Sequence, residues 1–288
     1  FPKHQFAWKV LGAVHKETGR LRESLVANQK SVQLASQDPE AHNNLGNTLT
    51  ELGRLDEALA SYKQAIAFKP DYVGAHFNLG TRLTELGRLD EAEASYKQAI
   101  ALKPDHFEAY TNLGTTLKEL GRLDEAEASY SQAIALNPGY AEALSNRSYL
   151  LFDKGEYEAA LRDADACTLD KKNGELPLIS LYALGRVSEI YKRLEIQSKI
   201  DAENISLSAF ATFISEVEKK PTAYNFCPNP IDFIHITNLS SHVDDSVAYV
   251  EGVIEQLNKV KTIWEPSEKT TVSGFQSLDS MNLFKNPA

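Results

Sequence analysis

Apolar and small residues return along the first half of the chain at one fixed interval of 34 residues. Leu11, Leu45, Leu79 and Leu113 keep this step, and so do Gly12, Gly46, Gly80 and Gly114, after which the same step lands on Ser148. A second glycine series, Gly19, Gly53, Gly87, Gly121 and Gly155, runs without a break. Ala58, Ala92, Ala126 and Ala160 follow in register, then Tyr62, Tyr96 and Tyr130, then Ala65, Ala99 and Ala133. Pro70, Pro104 and Pro138 close the units.

Within one interval the pattern predicts two helices. Leu45, Leu49 and Leu52 are at helical spacing, which predicts a helix over 41–52. Gly53 ends it, because glycine enters the left-handed C-terminal cap without a steric cost. Asp56 and Glu57 fall in the first turn of the next helix, where the helix dipole favours negative charge. The proline that closes each unit stops that second helix. Gly46, Ala58 and Ala65 are small enough for the paired helices to approach closely. Neither helix buries its apolar face alone, so neighbouring units must stack.

The 34-residue period with glycine, alanine, tyrosine and proline in register resembles the tetratricopeptide repeat. Five units cover 5–172 of an array spanning 1–172. The first is degenerate, with Ser24, Asn28 and Ser31 in place of alanine, tyrosine and alanine. The fifth is also altered, at Arg147, Ser148 and Cys167. Pro2 lies two periods before Pro70, which leads to the expectation that the array continues upstream. The resemblance implies an all-α fold, a right-handed α-solenoid whose first helices line the concave side.

Two positions before the first glycine stand Val10, Asn44, Asn78, Asn112 and Asn146. Asparagine is a mediocre helix former, so its recurrence at one helical position calls for a reason. Its amide both donates and accepts, which suits the backbone of an extended peptide. The row resembles the asparagine ladder of O-linked N-acetylglucosamine transferases, which implies a peptide-binding face. Duplication of a stable consensus unit would leave the same row. Asn43, Phe77 and Thr111 lie just before it, Asn47, Thr81 and Thr115 three positions after, and Thr48, Arg82 and Thr116 four after. These vary between units, as selectivity positions would. The family's other peptide mode, a clamp on a C-terminal carboxylate, is broken here. Lys9 and Asn44 match it, but Ala13, Gly74 and Asn78 replace the required asparagine, lysine and arginine.

The register fails after Leu169. Pro177 suits a helix start, and Leu178, Leu181, Tyr182 and Leu184 begin a predicted long amphipathic helix. A second follows from Ser206 through Phe210, Phe213, Ile214 and Val217 to Lys219. These make 173–222 a set of capping helices. The remaining segment, 223–288, mixes an extended element at Ile231, Phe233, His235 and Ile236 with a helix from Ser241, and predicts the start of an unfinished α+β domain. Its stretch from Trp264 to Ser277, with Asn282-Leu-Phe, resembles the opening of a bacterial family of 2-oxoglutarate/iron(II) oxygenases. That makes a parent oxygenase the alternative reading, with a parent glycosyltransferase beside it. His242-Val-Asp244 has the spacing of the iron-binding pair, but no later histidine completes the site.

Composition narrows the classes. Forty acidic residues against thirty lysines and arginines give a net charge of −10, unlike the clustered positive charge of a nucleic-acid binder. It also disfavours anionic membranes, and no apolar run reaches the roughly 18 residues of a membrane span. Two cysteines, Cys167 and Cys227, exclude a disulfide scaffold and point to a reducing, cytoplasmic compartment. No phosphate-binding loop, nucleophile motif or paired metal ligands stand out, so no catalytic residue and no cofactor is assigned. The expected partner is a protein or peptide held in the concave groove, with self-association as a further option.

Overall fold

The computed structural model describes residues 4–167, 174–200 and 204–223. The chain divides into two compact units, Phe1–Asp170 and Lys171–Ala288. All described elements are α-helices.

The first unit holds five helix pairs. They are α1 (Gln5–Glu17) with α2 (Leu21–Leu34), α3 (Pro39–Glu51) with α4 (Leu55–Phe68), and α5 (Val73–Glu85) with α6 (Leu89–Leu102). Then come α7 (Phe107–Glu119) with α8 (Leu123–Leu136), and α9 (Ala141–Asp153) with α10 (Tyr157–Ala166). Helix α3 starts ahead of the predicted 41–52 because Asp38 caps it, accepting from the Glu40 amide at 2.9 Å, with Pro39 at its first position. The glycines of the second series all adopt positive φ, +73° at Gly53, and turn the chain between the two helices of a pair. Helices α2, α4, α6 and α8 also pack against the first helix of the following pair. Consecutive first helices touch one another directly, α1 with α3, α3 with α5, α5 with α7 and α7 with α9. This is an α-solenoid with its first helices in one inner row.

Each central pair is built around one contact. The ring of Tyr62 lies across Gly46 so closely that a Cβ on that glycine would meet Cε1 at 2.6 Å. The same test gives 2.8 Å for Gly80 against Tyr96 and 2.6 Å for Gly114 against Tyr130. The three tyrosines are at most 2% exposed and join Leu49, Leu83 and Leu117 in one apolar cluster. Burying a large aromatic side chain against close-packed neighbours contributes about 3 kcal/mol per unit.

The two outer units solve the same problem differently. In the first, Asn28 replaces the tyrosine, and its amide donates to Thr48 Oγ1 at 2.9 Å and Ser24 Oγ at 3.3 Å. Ser24 donates in turn to the Gly12 carbonyl at 2.8 Å. The seam between α2 and α3 is therefore polar and fully buried, and Asn28 Oδ1 within it has no hydrogen-bond partner. In the fifth, the tyrosine position is Ala164, and the space it leaves admits Ser148 in place of glycine, with Oγ donating to the Ala160 carbonyl at 2.6 Å. Arg147, in register with Leu113, forms a bidentate pair with Asp163 at 2.6 and 2.7 Å.

In the second unit, α11 (Leu176–Ala183), α12 (Val187–Ile200) and α13 (Ile205–Glu218) bury Leu181, Ile190, Leu194 and Ile214. The long helix expected from Leu178 is two helices. Gly185, at φ +70°, turns the chain between α11 and α12. Leu184-Gly185-Arg186 repeats the Leu-Gly-Arg turn of Leu52-Gly53-Arg54, but 30 residues after Gly155 and so out of register. Helix α13 begins at its Asn204 cap, which accepts from the Leu207 amide at 3.1 Å. The segment 224–288, with the predicted α+β start, the His242–Asp244 pair and the oxygenase-like stretch, lies outside the described residues. Among the described residues no helix is long and apolar enough to cross a membrane.

Two outcomes follow. Gly80→Ser should cost about 1–3 kcal/mol by overpacking and Tyr96→Ala about 3–5 kcal/mol by truncation. Together they recreate the Ser148–Ala164 arrangement, so urea unfolding of the double variant should fall short of the summed cost by about 1 kcal/mol or more. Simple additivity would contradict the contact. Glu93, nearly buried, lies 2.7 Å from Lys97 and 2.6 Å from Arg122. The hydrogen bond from Lys97, aided by Arg122 against the effect of burial, holds its carboxyl below its ordinary 4.5. A carboxyl lowered on folding stabilises the protein above its unfolded pKa, and the contribution is lost as pH falls through the folded value. The stability gap between wild type and Glu93→Gln should therefore close below about pH 4, and a gap that stays constant on acidification would refute this.

Candidate functional site

The inner row of first helices carries the positions singled out in the sequence. Asn44, Asn78, Asn112 and Asn146 are each partly exposed, on α3, α5, α7 and α9. They are also tied into the solenoid. Asn78 Nδ2 donates to Asn43 Oδ1 and to Asn47 Oδ1, both at 3.1 Å, so one amide bridges α5 to α3. Asn146 Nδ2 lies 3.5 Å from Thr115 Oγ1, bridging α9 to α7. Asn112 faces the Tyr96 hydroxyl and works to lower its pKa against the effect of burial.

The residues three positions after the row complete these bridges from below. Tyr62 donates to Asn47 Oδ1 at 2.8 Å, Tyr96 to Thr81 Oγ1 at 3.3 Å, and Tyr130 to Thr115 Oγ1 at 3.2 Å. In two units the order is the same: buried tyrosine, polar residue of the same unit, asparagine of the next. Burial pushes the hydroxyls of Tyr62, Tyr96 and Tyr130 upward in pKa, so they stay protonated and act as donors.

The flanking positions divide. Phe77 is half-buried, stacked on His106 with centroids 4.9 Å apart. Arg82 is paired with Glu85 at 2.8 Å. Asn43 and Thr111 do not lie open, as a groove-lining role requires. Asn43 is 7% exposed and accepts from Asn78, while Thr111 is fully buried with its hydroxyl on the Phe107 carbonyl at 3.0 Å. The reason is their place beside the contact between consecutive first helices, where the next unit covers them. His42 and His76 are 9% exposed and bond the Ser36 and Pro70 carbonyls at 2.8 and 2.9 Å.

Two further rows on the first helices kept the 34-residue step and were overlooked in the sequence. Glu17, Glu51, Glu85, Glu119 and Asp153 end α1, α3, α5, α7 and α9, and all are exposed. Lys16 reaches Glu51 at 3.0 Å and Lys118 reaches Asp153 at 4.0 Å, so this row also faces the junctions between first helices. At the opposite ends, Tyr72, His106 and Tyr140 precede α5, α7 and α9. The inner face thus offers a central row of amides and hydroxyls between an acidic edge and an aromatic one. Among the described residues no group of three histidine, cysteine or acidic side chains could hold a metal ion. Cys167 is buried, with its thiol 3.2 Å from the Ala141 carbonyl.

Known proteins agree with this architecture. A family model described as TPR repeat matches residues 46–82 and 80–121, and the tetratricopeptide repeat model matches residues 107–140. No curated protein matches the chain in sequence. Among solved structures, one from a functional characterization of Pseudomonas aeruginosa pilF is 17% identical, with a TM-score of 0.62 over 73% of this chain and 97% of that one. The MamA protein is 19% identical, with a TM-score of 0.52 over 64% of this chain and 94% of its own. YrrB, described as a TPR protein with an unusual peptide-binding site, is 22% identical, with a TM-score of 0.52 over 64% of this chain and 93% of its own. The chain thus carries tetratricopeptide repeats, matched in sequence over residues 46–140 and folded as an α-solenoid.

Proposed function

We propose that this chain is a non-catalytic protein-binding module that holds an extended peptide on the inner face of its repeats. The observation that carries the reading is the alignment of Asn44, Asn78, Asn112 and Asn146 at one position of four consecutive first helices. Asn78 spends both amide protons on Asn43 and Asn47, which leaves its carbonyl oxygen to accept a peptide N–H. The same bridges fix the side chain before the ligand arrives, so less rotamer entropy is lost on binding. Asn47, Thr81, Thr115, Phe77 and Arg82 border the row and would set selectivity. YrrB, with the same fold, is described as having a peptide-binding site, which is consistent with this use of the scaffold.

Each such hydrogen bond would contribute about 1 kcal/mol net, so the amides alone give weak binding that side-chain contacts must sharpen. Selection of a random displayed-peptide library on the purified chain tests the proposal. Wild type should enrich extended sequences, and Asn78→Ala with Asn112→Ala should weaken the enriched peptides by about tenfold or more. Because Asn78→Ala also removes inter-repeat bonds, circular dichroism must first establish that the double variant is folded. A folded double variant that binds the same peptides equally well would refute the role of the asparagines.

A further inference from the structure

We infer that Tyr140, Phe107, Glu108 and Glu142 form a receptor for one cationic side chain, a lysine or arginine of the bound segment. The four residues meet at the N-terminal ends of α7 and α9. Phe107 and Tyr140 stand edge to face with centroids 4.8 Å apart, and Tyr140 donates its hydroxyl to Glu142 Oε2 at 2.6 Å. Burial, then the hydrogen bond to Glu142 and the charges of Glu142 and Glu108, push the tyrosine hydroxyl upward in pKa, so both carboxylates act on this ring. Glu142 is exposed and Glu108 partly so. His106 lies 2.9 Å from Glu108 through Nδ1, and is the other titratable group at the cluster.

The repeats supply their own comparison. Tyr72 stands 68 residues before Tyr140, two periods away. There the carboxylates Asp38 and Glu40 are both paired with Lys9, and the Lys69 ammonium lies over the Tyr72 ring, 5.4 Å from its centroid. The chain's own lysines thus meet both the acids and the aromatic face. Two periods on, the carboxylate remains, since Glu40 corresponds to Glu108, and Glu142 adds another. Both lysines are gone. Phe77 stands in register with Lys9, and Asn137 with Lys69. An aromatic face with two carboxylates beside it attracts a cation through the ring quadrupole and through charge, and arginine adds stacking and forked hydrogen bonds. The arrangement that the first three units satisfy internally is left, in the fourth and fifth, for a cation from outside.

The site rests on the peptide-binding reading for its natural ligand, but its chemistry can be probed without a peptide. N-acetyl-arginine amide, with its uncharged citrulline counterpart as control, would be titrated into the full chain carrying ¹³C-labelled tyrosine. The Tyr140 ring resonance, assigned through Tyr140→Phe, should move saturably with arginine and not with citrulline. Glu108→Gln with Glu142→Gln should abolish the movement, and so should Asn137→Lys, which restores the internal cation seen at Tyr72. Equal response to citrulline, no response to arginine, or a response unchanged in both variants would overturn the inference. Since the probe is a free amino-acid derivative, failure of the asparagine variants in peptide selection would leave this result standing, and the two readings fail separately.

Discussion

The interaction on which the repeats depend is the tyrosine ring laid across the glycine of its partner helix. It needs both residues at once, because any Cβ at Gly46, Gly80 or Gly114 would fall within 3.0 Å of ring carbons. Close approach of the two helices buries the ring, and burial forces the hydroxyl to find a partner. That partner is Asn47, Thr81 or Thr115 on the inner face, and in the second and fourth units the next asparagine bonds to it in turn. Core packing and groove chemistry are therefore one connected structure.

This connection explains how the outer units depart from the pattern. Ser148 is tolerated where glycine stood because Ala164 has removed the ring, so the two changes compensate. Asn28 keeps the close approach to Gly12 but trades apolar area for hydrogen bonds with Ser24 and Thr48, and one of its amide atoms finds no partner. A buried polar group left unsatisfied costs about 1–3 kcal/mol. The first unit is accordingly the weaker end of the array, with a polar seam where the central units have tyrosine.

Much of this was legible in the sequence, and the limits have physical causes. The period gave the paired helices, the glycine turns and the need for neighbouring units to stack, because each depends on local rules applied at a constant spacing, and the family resemblance implied the all-α solenoid. Burial of Asn43 and Thr111 was not legible. Periodicity places a residue on a helix face, but only the contact between consecutive first helices decides which inner positions the next unit covers. The bridging role of Asn78 was hidden for the same reason, since its partners lie 31 and 35 residues away. The turn at Gly185 was within reach, for its Leu-Gly-Arg matches the earlier turns, but it falls outside the register. Residues 224–288, where the resemblance to an oxygenase lies, are outside the described structure.

The central claim is that the tyrosine-over-glycine contact sets the stability of each unit. Native-state hydrogen exchange, resolved helix by helix, tests it most directly, because local opening energies follow local packing. The account predicts the slowest exchange in α4, α6 and α8, which carry Tyr62, Tyr96 and Tyr130, and distinctly faster exchange in α1 and α2. Equal protection along the array, or the slowest exchange in α1 and α2, would contradict it.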